Sequence, residues 1–155
     1  MGVNERSKIT MSPEEIDEFL QERHSISLAS IGADGRIHLV AMWYGLVDGL
    51  IAFETKSKSQ KVQNLRRNET ITVLVETGDS YDQLRGVEIV GRAEIVEDRD
   101  RLYEIGISVF SRYNAPYTDE MRPFVEQMLH KRVGVIVHPE KFVSWDHRKL
   151  GMPAM

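Results

Sequence analysis

The sequence predicts an α+β protein, a small antiparallel β-barrel of six to seven strands with flanking helices. Short runs rich in β-branched and apolar residues recur along the chain, separated by Gly, Asp and Pro turn signals. Between them, a few segments change to helical spacing. Closure into a barrel would dispose of the exposed strand edges that such a meander leaves.

The 155 residues suit one domain with a core of its own. Residues 1–10 read as a flexible N-terminal tail and residues 11–151 as the single domain. Ser12-Pro13-Glu14-Glu15 is a helix start: Ser12 caps, Pro13 suits the first position and Glu15 completes a capping box. Ile16, Phe19 and Leu20 form its apolar stripe. Ser25 to Ile31 alternates as a strand, Asp34-Gly35 marks a hairpin turn, and Ile37 to Leu46 reads as the return strand. After a turn at Val47-Asp48-Gly49, Leu50 to Thr55 is a third strand.

A short helix is expected over Ser59 to Arg67, with Val62 and Leu65 facing the core. Thr70 to Glu76 reads as the fourth strand and Gly86 to Val96 as the fifth, where Gly91 signals a bulge or a close backbone approach. Asp98 to Ser111 is helical by pattern, and Thr118 caps a further helix to His130. Arg132 to His138 alternates as the sixth strand; Pro139-Glu140 reads as a turn, and Phe142 to Trp145 extends again.

Composition narrows the function. A formal charge of −4 argues against general nucleic-acid binding, and the absence of cysteine excludes disulfides and thiolate chemistry. No apolar run is long enough to span a bilayer, the N-terminus carries no signal-peptide pattern, and a cytoplasmic location is expected. The five histidines form no His-x-His pair and no His-Glu-x-x-His motif, so no metal site is expected.

One stretch inverts the local charge. Glu54 to Asn68, ETKSKSQKVQNLRRN, gathers Lys56, Lys58 and Lys61 with Thr55, Ser57 and Ser59 just before and within a helix start. Cations, hydroxyls and the amide groups of a helix N-terminus together make a plausible anion seat.

The order of elements resembles the split β-barrel of the pyridoxamine phosphate oxidase-like superfamily. Within it, HLVAMWY (His38–Tyr44), the lysine stretch, GVEIVGRAEIVED (Gly86–Asp98), and KRVGVIV with SWDHRKLG near the C-terminus look most like the actinobacterial F420-dependent oxidoreductases. The resemblance implies a homodimer with a deazaflavin, F420, or alternatively FMN, lying in a groove between subunits. It assigns the cofactor phosphate to Ser59, Lys61, Asn64 and Leu65, with Thr55, Lys56, Ser57, Lys58 and Gln60 beside them. It places His38, Ala41, Met42 and Trp43 along the ring, and Trp145, Arg148 and Lys149 as an approach from the partner chain. The flavin-binding oxidases commonly carry Arg where Gln60 stands, so a single phosphate dianion loses a forked clamp. Separated lysines suit F420, whose phosphodiester is followed by further carboxylates. Hydride transfer would be done by the cofactor, which accounts for the lack of a nucleophile motif. Tyr44, Tyr81 and His147 are candidate proton donors, and the small-molecule substrate is not specified by the sequence.

Overall fold

The computed structural model describes residues 4–153. Helices α1 (Glu5–Ile9), α2 (Pro13–Gln21), α3 (Gln60–Arg67), α4 (Arg99–Tyr113) and α5 (Arg122–Met128) flank a single sheet. Its strands are β1 (Ile26–Ile31), β2 (Ile37–Met42), β3 (Gly45–Val47), β4 (Leu50–Lys56), β5 (Thr70–Thr77), β6 (Arg85–Val96) and β7 (Arg132–Asp146). All pairings are antiparallel, in the order β2-β1-β5-β6-β7-β4-β3, and the sheet curls into a half-barrel. Ile26, Leu28, Phe53, Ile71, Val73, Val75, Val87 and Val135 fill its concave side, closed by Phe19 and Leu20 of α2 and Leu65 of α3. A second apolar layer joins Ala52 and Ile136 to Ile105 and Val109 of α4.

The start of α2 follows its sequence signature: Glu15 N donates to Ser12 Oγ at 3.2 Å and Ser12 N to Glu15 Oε1 at 3.0 Å. Ahead of it, the segment expected as a tail carries the short α1, whose far end is tied by Thr10 Oγ1 donating to Arg6 O. The first three residues of that segment lie outside the described ones.

The expected return strand Ile37–Leu46 divides in two, because Tyr44 leaves the ladder for the core. Its ring is fully buried under the Arg112 guanidinium, 4.5 Å away, and its hydroxyl donates to Leu20 O at 2.8 Å. The chain then turns to pair with β4 while Ser108 of α4 bridges the Leu46 N–H and C=O. A Cβ on Gly45 would lie 2.8 Å from Ser108 Cβ, so only glycine admits that approach. Tyr44→Phe is expected to lower stability by only about 1 kcal/mol in urea unfolding, since Arg112 Nη2 also serves the Leu20 and Glu22 carbonyls.

Pro139-Glu140 does not turn the chain, contrary to expectation. Strand β7 runs through, with Pro139 opposite Gly91 at a register shift. Proline lacks the N–H that a regular ladder would demand, and a bulge is where a sheet tolerates it. The close approach anticipated at Gly91 is there: a Cβ would stand 2.1 Å from His138 O. The expected helix from Thr118 to His130 is shorter, a 3-10 turn at Asp119–Met121 followed by α5, with Pro123 in its first turn.

Candidate functional site

The lysine stretch is fixed by its neighbours on both sides. Strand β4 ends with Thr55 opposite Val133 and Lys56 opposite Arg132 of β7. Ser57 N donates to Lys131 O at 3.0 Å, and Ser59 N to Lys56 O at 3.0 Å, closing the turn into α3. Val62 and Leu65 bury the underside of α3. Between them Asn64, with no exposed surface, donates from Nδ2 to Ser30 Oγ of β1 at 3.1 Å. Its Oδ1 accepts from Gln60 Nε2 at 2.8 Å and from Arg67 Nη2 at 3.2 Å. Asn64 is therefore a pin between helix and sheet, and Gln60 is turned onto it.

The electrostatics of this cradle are unbalanced. Lys61 Nζ is partly buried and donates to Thr55 Oγ1 at 3.0 Å. Burial, and then the nearby Arg132 guanidinium, push its pKa below the usual lysine range. Among the described residues no carboxylate pairs with Lys56, Lys58 or Lys61. Glu54 is committed to Arg132 at 3.0 Å, and burial raises its pKa despite that cation. Ser59 occupies the cap position of α3 without a side-chain cap bond, and its Oγ is buried without a partner. An ammonium, an unspent hydroxyl and a helix start with no acidic residue in its first turn make a seat for an anion.

The β2 residues divide between two faces. His38 lies opposite Ser30 and Met42 opposite Ile26, on the concave side, and His38 Nδ1 is buried without a partner. Ala41 lies on the outer face with Ile37 and Leu39, which are 74% and 69% exposed. Trp43, 53% exposed, stacks on Tyr113 with centroids 4.6 Å apart and planes 1° from parallel. A ligand touching all four would have to straddle the edge of the sheet, where β2 stands.

The C-terminal residues are not brought to the cradle within one chain. Trp145 stands over Gly86, where a Cβ would come 2.2 Å from the indole. It is separated from Arg132 by nearly the whole of a 15-residue strand, about 40 Å of extended chain. Arg148 is forked onto Asp146 at 2.8 and 2.9 Å. Lys149 Nζ donates to Glu15 Oε1 at 2.8 Å and Thr10 O at 2.9 Å. Tyr81 and His147 share this far end, ring edge to face at 4.5 Å. Tyr44 is ruled out as a proton donor: it is fully buried, its hydroxyl is spent on carbonyls, and burial pushes its pKa up to about 12.

A cleft of about 560 Å³ opens between Met11, Pro13 and Ile16 on one side and Lys141, Phe142 and Val143 on the other, remote from the cradle. Among the described residues no group of three His, Asp or Glu side chains could hold a metal ion, and no helix is long and apolar enough to cross a membrane. Sequence reasoning missed Ser30, Lys131 and Arg132. Ser30 had a signal, a hydroxyl where the Ile26, Leu28 alternation calls for an apolar residue. Lys131 and Arg132 had none, because their place depends on which strand pairs with β4.

Comparisons with known proteins accord with this architecture. The family profile described as pyridoxamine 5'-phosphate oxidase matches residues 12–146. A conserved hypothetical protein from Mycobacterium tuberculosis is 53% identical, with a TM-score of 0.95 over 97% of this chain and 94% of that one. A structure described as an F420 reductase is 26% identical, with a TM-score of 0.63 over 84% and 98% of the two chains. The heme storage protein HutZ from Vibrio cholerae is 19% identical, with a TM-score of 0.67 over 85% and 94%, a likeness of fold alone. Comparison with curated protein sequences gave no match.

Proposed function

The chain belongs to the pyridoxamine 5'-phosphate oxidase family, and from that premise we propose that it is an F420-dependent oxidoreductase acting on a small organic acceptor, with the cofactor held at a homodimer interface. The observation that carries this reading is the partly buried Lys61 ammonium, left without a carboxylate beside the unpartnered Ser59 hydroxyl. The residues fit such a group: Lys61 and Ser59 would take the phosphodiester, and Lys56, Lys58 and Ser57 the charges beyond it. When bound, F420 supplies the ring carbon that carries the hydride. The protein's part is to orient the ring, exclude water and hold the charged tail. His38 and Met42 offer one wall for the ring, and Trp43, backed by Tyr113, an aromatic face. The similarity to an F420 reductase supports the choice of cofactor.

A homodimer is supported by the apolar outer face of β2, where Ile37, Leu39 and Trp43 stand in solvent. A partner copy would also bring Trp145, Arg148 and Lys149 towards the cradle, which their own chain keeps distant.

FMN in the same cradle is the second reading, on the family profile. The arrangement of cations favours it less. Gln60 stands where a forked guanidinium would serve a phosphate monoester, and it bonds Asn64 instead. The neighbouring Arg132 is held by Glu54. Fluorescence titration of the purified protein with F420 and, separately, FMN tests the proposal. Micromolar or tighter F420 binding, with FMN at least tenfold weaker, is expected; the reverse order would overturn it. Turnover of reduced F420 with a panel of acceptors then separates an enzyme from a cofactor-binding protein.

A further inference from the structure

We infer that the cleft between α2 and β7 is a binding site for a small amphipathic monoanion, one carboxylate on a compact aromatic or alicyclic body. The cleft lies apart from the lysine turn, so the inference depends neither on the cradle nor on F420.

The cleft exists because the core face of the sheet is left open at this point. Phe142 is the register partner of Ile89, and Ser144 of Val87. Residues directly opposite in an antiparallel pair share a face, so Phe142 and Ser144 stand on the concave side with the buried Ile89 and Val87. Phe142 is nevertheless 46% exposed. The buried Met11 and Ile16 form the opposite apolar wall, and the space between the walls is about 560 Å³, a size that takes a small organic ligand.

The polar groups define what that ligand carries. Ser144 is 8% exposed, and its Oγ accepts from Met11 N at 3.0 Å. Among the described residues nothing accepts the proton of that hydroxyl. A buried donor left unspent suits an acceptor oxygen on the ligand. At the rim, Arg6 and Lys141 are exposed cations, and among the described residues neither side chain has a carboxylate or hydrogen-bond partner. Asp17 is the acidic side chain of the lining. The rim is therefore positive on balance, on a chain whose formal charge is −4. Apolar walls beneath a guanidinium fit a carboxylate carried by an apolar body. A second copy of the chain fits less well, because an isologous contact centred here would set the same cations against one another.

The probe is anilinonaphthalenesulfonate, an aromatic anion whose fluorescence rises in apolar surroundings. Its competitors are naphthaleneacetate and the uncharged naphthaleneacetamide. Saturable binding at one site per chain is expected, with naphthaleneacetate displacing the probe at least ~fivefold better than the amide, the scale of a partly exposed charged hydrogen bond. Arg6→Gln with Lys141→Gln is expected to remove that preference, and Phe142→Ala to weaken both competitors. Lys61→Met, which alters only the cradle, should change neither. Equal displacement by acid and amide, or binding that does not saturate, would overturn the inference. So would a loss in Lys61→Met as large as in the Arg6 and Lys141 variant, which would put the probe at the cradle. If Phe142→Ala leaves both competitors unchanged but halves the mass in sedimentation velocity, a second copy covers the cleft and the inference fails. Melting temperature checks each variant. Phe142→Leu replaces Phe142→Ala if the latter is unstable, with a smaller loss of the same kind expected.

Discussion

Lys61→Ala is expected to weaken F420 binding about 10- to 100-fold, the ~1.5–3 kcal/mol of a hydrogen bond to a charged group, without destabilising the free protein. The two halves of this expectation share one cause. The Lys61 ammonium is partly withdrawn from water and faces Arg132 rather than a carboxylate, so the fold holds its pKa below that of the unfolded chain. A lysine with a lowered folded pKa costs stability while it is charged in both states. That cost fades as pH rises through the folded value and is gone above the unfolded value, near ~10.4. Removing the side chain removes the cost at neutral pH, against the single hydrogen bond lost to Thr55 Oγ1. The melting temperature of Lys61→Met, which keeps the packing of the stem, should therefore equal or exceed that of the wild type. A bound anion reverses the balance and draws the ammonium pKa up. Affinity should accordingly be flat with pH on the acidic side and fall as pH rises through the lowered Lys61 value. Titrations at several pH values, with Lys61→Met as the control lacking that slope, measure the effect. A melting temperature well below wild type, with binding unchanged, would mean that Lys61 is a structural residue.

The cradle was legible in the sequence because it is contiguous. Thr55 to Lys61 are neighbours along the chain, and a strand that runs through a tight turn into a helix start fixes much of their mutual placement. The starts of α2, α3 and α4 and most strands were legible for the same reason: capping chemistry and side-chain alternation act over a few residues. What failed was set by distant partners. Nothing local to Trp43 and Tyr44 announces that the strand breaks there; the break follows from the α2 carbonyls and Arg112, which draw Tyr44 inward. Nothing local to Pro139 says that it will sit in a bulge, since that depends on Gly91 across the ladder. The division of His38 and Ala41 between two faces follows from simple alternation. A resemblance that names them together conceals it.

Asn64 joins the two kinds of information, and Asn64→Leu is expected to cost about 2–3 kcal/mol of stability in denaturant unfolding, the scale of a broken buried hydrogen-bond network. The loss is unequal among its partners. Gln60 and Arg67 are exposed and can turn to water, but Ser30 Oγ, 1% exposed, is left beside an apolar side chain. Removing the second buried polar group should therefore recover part of the loss: Asn64→Leu with Ser30→Ala is expected to be more stable than Asn64→Leu alone. Binding should not recover with it. The Asn64 to Ser30 bond is the polar tie between α3, which carries Ser59 and Lys61 at its start, and β1, whose Ser30 lies across from His38. An apolar contact in its place leaves the helix free to shift by fractions of an ångström, enough to spoil aligned donors. The double variant should thus separate the two roles, with stability moving towards wild type and F420 affinity remaining reduced about tenfold. Full recovery of both would make Asn64 a packing residue alone.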